Sequence, residues 1–176
     1  WMKAEGFHFV TMQELQKNWG KHPEKTVAIT FDDGYLDNLE NAYPILEKYQ
    51  AKATIYVVVD RHDRDWSTYK KAHHNNGELA REAKLNDKQV QFLANSSLVE
   101  IGSHTMTHAN LNKLDDVECL AELTQSKQQL ENLTAKSVTS FAYPFGIYSQ
   151  RDVALVKQAG YSNAVTTEEG IDGLNP

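Results

Sequence analysis

Val27-Ala28-Ile29-Thr30-Phe31-Asp32-Asp33-Gly34-Tyr35 is the stretch from which the rest of the chain is read. A β-rich apolar run stops at two carboxylates and a glycine. Val, Ile and Phe suit a pleated surface covered on both sides, so the run is expected to be a buried strand. Adjacent side chains on a strand point to opposite faces. Asp32 and Asp33 can therefore serve one site only where the strand is ending, and Gly34 permits the turn there. Parallel sheets place their ligands at that carboxyl end. An isolated Asp-Asp-Gly is more often a solvated turn. What lowers that prior is a second polar cluster that also follows a strand, His104 to Asn110.

Outward from this stretch, strands and helices alternate. Residues 2–6 read as the last turn of a helix closed by Gly6, and residues 7–10 as a short strand. Thr11 and Glu14 have capping-box spacing for a helix running through Trp19. Leu36, Leu39, Tyr43 and Leu46 fall at helical spacing over residues 35–49, with a kink expected at Pro44. Residues 53–59 are the most strand-like run and complete a βαβ unit with a right-handed crossover. Then come a helix over 85–97 that Asn86 can cap, a strand over 98–102, and a long helix over 114–133. Cys119 in that helix is read as a packing residue. A strand over 138–143, a helix over 149–159 and a strand over 161–166 follow. This alternation predicts an α/β fold with a mostly parallel sheet, open or closed into a barrel.

Residues 60–84 break the alternation with mixed charges, His62, His73, His74 and an Asn-Asn-Gly turn signal. They are expected to form an excursion over or beside a binding face, within a single domain spanning 1–176. Trp66 and Tyr69 are candidates for a substrate platform. His73-His74 are more often plain surface histidines than ligands.

The 176 residues suffice for a real core. A net charge of −6 argues against a nucleic-acid partner. No apolar run approaches the ~20 residues of a membrane-spanning helix. The single cysteine excludes an internal disulfide without fixing the compartment. The chain starts at Trp1 and ends Gly-Leu-Asn-Pro, and is expected to be a piece of something longer whose targeting information has been lost.

The chemistry is carried by His104 and His108. Four residues apart, they lie about 5–6 Å from one another on a helical turn and roughly 13 Å apart on a straight strand. They can chelate one ion only if the strand has ended and the chain has curled, which Gly102 makes plausible. Two neutral imidazoles plus one carboxylate leave positions open for water and substrate, as in a catalytic centre. A metal such as zinc lowers the pKa of water it binds toward ~7, and a carboxylate that is not a ligand can accept the proton. Two adjacent carboxylates are available for the two roles, provided their environments differ. Ser103 and Thr105 are expected to support the histidine turn by hydrogen bonds.

Thr30-Phe31-Asp32-Asp33-Gly34, His104-Thr105-Met106-Thr107-His108 and Tyr143-Pro144-Phe145-Gly146 together resemble the motifs of polysaccharide deacetylases with the NodB-homology domain, carbohydrate esterase family four. The resemblance covers about residues 5–170. Phe141 to Gly146 most resembles the branch acting on poly-N-acetylglucosamine. The resemblance implies a distorted (β/α) barrel of about seven strands, here incomplete at one or both ends. It implies that Asp33, His104 and His108 hold a divalent metal, usually zinc, sometimes cobalt or nickel. Asp32 would be the general base, and the backbone N–H of Phe145 would hold the oxyanion with the metal. Tyr143, Pro144 and Phe145 would meet an N-acetylated polysaccharide. Tyr143 and Phe145 could equally be a sugar-stacking wall or rim packing. A wall or biofilm polymer places the protein outside the cytoplasm, and a monomer is favoured. Two departures stand out. Ala142 occupies the position of the family's base-orienting arginine, an absence shared by the biofilm branch. No histidine follows His108, where the family carries a late Leu-x-His general acid: either that segment lies beyond Pro176, or the acid is different, or this copy is impaired.

Other classes compete. An O-acetyl esterase would use the same oxyanion chemistry. A glycan-binding domain that has lost turnover would explain both departures. A two-His-one-carboxylate iron oxygenase is expected on an antiparallel framework, against the βα alternation. A receiver-like domain would leave the histidine pair without a role.

Overall fold

The computed structural model describes residues 1–62 and 82–169. Trp66, Tyr69, His73 and His74 lie outside the described residues.

Six strands, β1 (His8–Val10), β2 (Thr26–Phe31), β3 (Ala53–Val57), β4 (Val99–Ser103), β5 (Ser140–Ala142) and β6 (Asn163–Val165), form one sheet in sequence order, and every pair is parallel. When each crossover steps one strand in the same direction, the sheet curls toward a barrel instead of reversing about a switch point. The curl is visible in helix α1 (Met12–Lys17), which follows edge strand β1 yet reaches the far side. Gln13 donates its backbone N–H to Glu100 of β4 (2.9 Å) and its side-chain amide to Thr139 at the foot of β5 (3.0 Å). Six strands are present among the described residues, against about seven expected, and β1 and β6 stand at the two edges. The architecture is a parallel half-barrel.

Local chemistry accounts for most element boundaries. Thr11/Glu14 opens α1, Asn86/Gln89 opens α3 (Asp87–Asn95), Asp115/Glu118 opens α4 (Asp116–Thr134), and Ser149/Asp152 opens α5 (Gln150–Gln158). Each is a reciprocal capping box that satisfies two otherwise orphaned N–H groups. Such caps stabilise by about 1 kcal/mol each.

Two expectations need correction, and a third takes a particular form. Residues 2–6 form turns and not a helix, although Gly6 does adopt a left-handed φ of +79°. The irregularity expected at Pro44 is present as a change of helix type, the backbone staying right-handed helical through Ala42 and Tyr43. A π-helical turn over Asn38–Ala42, in which Tyr43 N–H reaches back to Asn38 O, precedes α2 (Tyr43–Tyr49). Pro44 then sits in the first turn of α2, where a missing N–H costs nothing. Finally, β2 is not covered on both faces: its residues are half-buried and Thr30 is exposed. It lies one strand from the sheet edge. Two strands are buried throughout, the short β5 and the longer β3, all five of whose residues are inaccessible. Leu46, Leu93, Leu123, Leu130 and Phe141 belong to the core cluster around it. Cys119 is fully buried there, and burial pushes its thiol up to about 11, consistent with a packing role.

Candidate metal centre

The sheet delivers its chemistry at the carboxyl ends of β2, β4 and β5. After Phe31 the backbone turns through two left-handed residues, Asp33 (φ +71°) and Gly34 (φ +71°). A side chain on Gly34 would come within 3.4 Å of Val57 at the end of β3, so the turn lies flat against the next strand. Residues 83–85 run back along this turn. Leu36 N–H donates to Ala83 O (2.8 Å), and Leu85 N–H donates to Gly34 O (2.9 Å).

His104 follows β4 directly and continues its ladder, its N–H donating to Val57 O (3.1 Å). The chain then curls, with Thr105 at φ +69° and His108 at φ +58°. The curl is pinned to the end of β3 by Val59 N–H to Thr105 O (3.2 Å) and Asp60 N–H to Met106 O (2.8 Å). Thr105 Oγ1 accepts from Ala109 N–H (3.2 Å), the supporting role expected of it. Ser103 does not take part, because its hydroxyl bonds instead to Ser126 of α4 (2.9 Å).

Three side chains converge as a result. Asp33 Oδ1 lies 3.4 Å from His104 Nε2 and 3.3 Å from His108 Nε2, and all three candidate ligand atoms lie within 4.8 Å of one another. These separations exceed the usual 2.7–3.2 Å of an N–H···O bond, and the buried Asp33 Oδ1 has no hydrogen-bond partner. Ligands about 2.0–2.1 Å from a tetrahedral ion stand about 3.3–3.4 Å apart, so the spacing fits one shared cation. His104 Nδ1 lies 2.8 Å from Ala142 O. A proton held there leaves Nε2 as the free donor of an electron pair, the arrangement usual for a metal-bound histidine. Asp33, His104 and His108 thus form a group able to hold a metal ion.

The electrostatics separate the two carboxylates. Burial pushes Asp33 up, but the imidazoles beside it, His104 first and then His108, together with the charge of Lys84, outweigh it and hold the carboxyl low. Asp32 is exposed. Protein crowded around it withholds water and raises its carboxyl; His104 opposes this and Asp33 adds to it. For His104, burial lowers the imidazole pKa, while Asp33, Asp32 and the Ala142 carbonyl together raise it. His108 is lowered to about 4 by burial and by His104, with Asp33 opposing. Adjacent residues of one type are therefore pushed in opposite directions, as the division of roles requires.

The Tyr143–Gly146 segment follows β5. Phe145 is left-handed (φ +61°), and its ring stands edge-on to His108 with centroids 4.6 Å apart. Phe145 is 37% exposed, whereas Tyr143 is 4% exposed, stacked on Tyr148 and edge-on to Phe141. Pro144 is buried. Of the two alternatives for the aromatics, Tyr143 packs the rim and Phe145 presents an open ring.

Two contributors carry no sequence signal. The Ala142 carbonyl acts through the backbone, and residue type does not disclose it. Glu122 of α4 accepts hydrogen bonds from the histidine turn, 15 and 16 residues away along the chain. A polar residue on a long polar-faced helix does not announce such a bond.

The sequence profile of the polysaccharide deacetylase family matches residues 20–164. The Bacillus subtilis protein YxkH, whose name places it among polysaccharide deacetylases, is 34% identical over 173 residues, covering 97% of this chain and 56% of its own. A Staphylococcus aureus poly-beta-1,6-N-acetyl-D-glucosamine N-deacetylase is 27% identical over 179 residues, covering 96% of this chain and 58% of its own. The chain thus spans a little over half the length of these curated relatives. Among solved structures, the Streptococcus pyogenes deacetylase PplD in complex with acetate superposes with a TM-score of 0.79 at 28% identity, over 96% of this chain and 69% of that one. A parallel half-barrel with an Asp-His-His cluster at its rim, a family profile over most of its length and a relative above 30% identity lead to one assignment: the chain belongs to the polysaccharide deacetylase family.

Proposed function

We propose that this chain catalyses metal-dependent hydrolytic removal of N-acetyl groups from an N-acetylglucosamine-containing polysaccharide. The observation that carries the reading is one buried, unsatisfied carboxylate oxygen, Asp33 Oδ1, set 3.3 and 3.4 Å from two imidazole nitrogens. Asp33, His104 and His108 would hold the ion, zinc in the first instance, with cobalt or nickel as alternatives. Such an ion supplies Lewis acidity toward a carbonyl oxygen and toward water.

The chain's own residues do the rest. Asp32 takes the proton of the attacking water; its raised carboxyl is a stronger base than an ordinary aspartate. Ala142 O keeps the His104 proton on Nδ1. The turn after β5 uses the N–H groups of Gly146 and Ile147 for its own bonds to Tyr143 O and Pro144 O. The Phe145 N–H is read as the donor to the developing oxyanion. The open Phe145 ring offers a face to a sugar, and Tyr143 and Pro144 shape the rim beneath it. The name of the S. aureus relative supports the β-linked N-acetylglucosamine polymer as substrate, and that substrate implies an extracytoplasmic location. No helix among the described residues is long and apolar enough to cross a membrane.

The test is acetate release from an N-acetylglucosamine oligomer, with and without chelator, beside Asp32→Asn. Chelation is expected to abolish release, and the variant to lose about 10²–10⁴ in rate. Chelator-insensitive release, or a fully active variant, overturns the reading. A second reading, a glycan-binding domain without turnover, draws its support from Ala142 standing at the position of the family's base-orienting arginine. Oligomer binding without acetate release, in the presence of zinc, would select it. Faster release from an O-acetylated polymer would select the esterase.

A further inference from the structure

His104 and His108 meet only because four residues of backbone curl, and two non-glycine residues in that curl, Thr105 and His108, adopt left-handed φ values. Such conformations persist when surrounding structure over-determines them. The β3 side supplies ordinary backbone bonds. A side chain from α4 adds a second hold. Glu122 Oε2 accepts from both Met106 N–H (2.9 Å) and Thr107 N–H (3.0 Å), and Glu122 Oε1 accepts from Thr107 Oγ1 (2.8 Å). Two successive N–H groups aimed at one carboxylate oxygen form an anion-binding nest, and the bonds are charge-assisted. The carboxylate is itself fixed. Cys119, Leu123 and Ser126 of the same helix are fully buried, so core packing sets where Glu122 stands.

We infer that Glu122 is a positioning residue for the histidine pair: by gripping Met106 and Thr107 it sets the span between the His104 and His108 imidazoles, and with it the affinity for a divalent cation. The inference rests on the metal-dependent reading above. Without Glu122 the two N–H groups lose their acceptor, the strained residues relax toward commoner φ values, and His108 swings away from Asp33. Glutamine in its place retains an oxygen for the two N–H groups, so the grip survives loss of the charge.

The experiment measures zinc affinity of the metal-free protein by competition with a chromophoric chelator, and the visible absorption of the cobalt form. Glu122→Ala is expected to weaken zinc binding about 10–100-fold, the range for outer partners of metal-binding histidines, and to alter the cobalt spectrum. Glu122→Gln should stay within a few-fold of the parent with a parent-like spectrum. Parent affinity in Glu122→Ala, or an equal loss in Glu122→Gln, overturns the inference. Should Glu122→Ala fail to fold, Thr107→Val decides. That variant removes one of the three bonds, and a loss of about fivefold supports the grip while parent affinity refutes it. A parent protein that binds no zinc sinks the proposed function and this inference together. A zinc-binding parent with an indifferent Glu122→Ala sinks the inference alone.

Discussion

The two ends of the half-barrel each gather polar side chains around a carboxylate, and they treat it differently. At the amino end, Glu100 is saturated. Its Oε2 accepts from Thr54 Oγ1 and Gln13 N–H, both at 2.9 Å, and its Oε1 accepts from Ser140 Oγ at 2.5 Å. These residues sit on regular strands and at a helix start. At the carboxyl end, Asp33 Oδ1 is buried without a hydrogen bond, and four non-glycine residues, Asp33, Thr105, His108 and Phe145, have φ between +58° and +71°. Left-handed backbone costs such residues about 1 kcal/mol or more each. Among the described residues, the other left-handed non-glycine positions, Lys25, Gln50 and Ala135, precede a strand or end helices. A saturated cluster on relaxed backbone is scaffold. An unsatisfied cluster on strained backbone marks the place where something else is to be bound.

The sharpest way to break this contrast is to remove each carboxylate in turn. Asp33→Ala should abolish stoichiometric zinc binding in calorimetry. Glu100→Gln should leave zinc affinity within a few-fold of the parent and cost roughly 1–3 kcal/mol of unfolding free energy in urea, the cost of disturbing a satisfied, partly buried network. Zinc binding retained by Asp33→Ala, or lost in Glu100→Gln, would erase the distinction between the two ends.

Acid separates the ends next. In the unfolded chain His108 takes up a proton near 6.5, but in the folded protein not until about 4. The unfolded state binds more protons between those values, so metal-free stability should fall as pH drops from about 6.5 to 4, by up to roughly 3 kcal/mol. His104 behaves oppositely. Its raised folded value gives stability that is complete below about 6.5 and lost as pH rises through that value. The raised Asp32 carboxyl offsets part of the acid limb, because the folded protein takes up that proton first. Urea titrations of metal-free parent and His108→Asn isolate the His108 contribution. The parent should show the steeper loss below pH 6.5, and parallel curves would refute the assignment.

Midway between the ends, Gly102 offers the smallest probe. A Cβ there would lie 2.4 Å from Cδ1 of the fully buried Tyr56 ring and 3.0 Å from Ser140 O. Gly102→Ala is expected to destabilise by about 1–3 kcal/mol through overpacking, read as a lower urea midpoint. An unchanged midpoint would mean that the barrel interior yields more easily than a close-packed core.

Much of this was legible beforehand for one reason: the signals were local. Thr11 with Glu14 three residues on, and Asn86 at its helix start, were readable from spacing and residue type, and each closed its own helix start. Asp33 before Gly34 and the histidines after Gly102 advertised strand ends. Non-local features were not legible. Nothing in Val27 to Phe31 tells that β2 lies one strand from an edge and is only half covered. Nothing separates Tyr143 from Phe145 until Tyr148 stacks on the first and His108 meets the second. Ser103 looked like a support for the histidine turn and turned instead to Ser126, across to α4.

From the order of its residues alone, this chain's alternating strands and helices, its caps and the ligand-type side chains at its strand ends were already set, because propensity, capping and turn chemistry act over a few neighbouring residues. Whether Asp33 stands 3.3 Å from His108 or far from it was decided only when the parallel strands registered side by side, with Glu122 and Ala142 O closing on the histidines from distant segments. Metal-ligand geometry is a matter of tenths of an ångström, and only packing across the whole sheet fixes positions that finely.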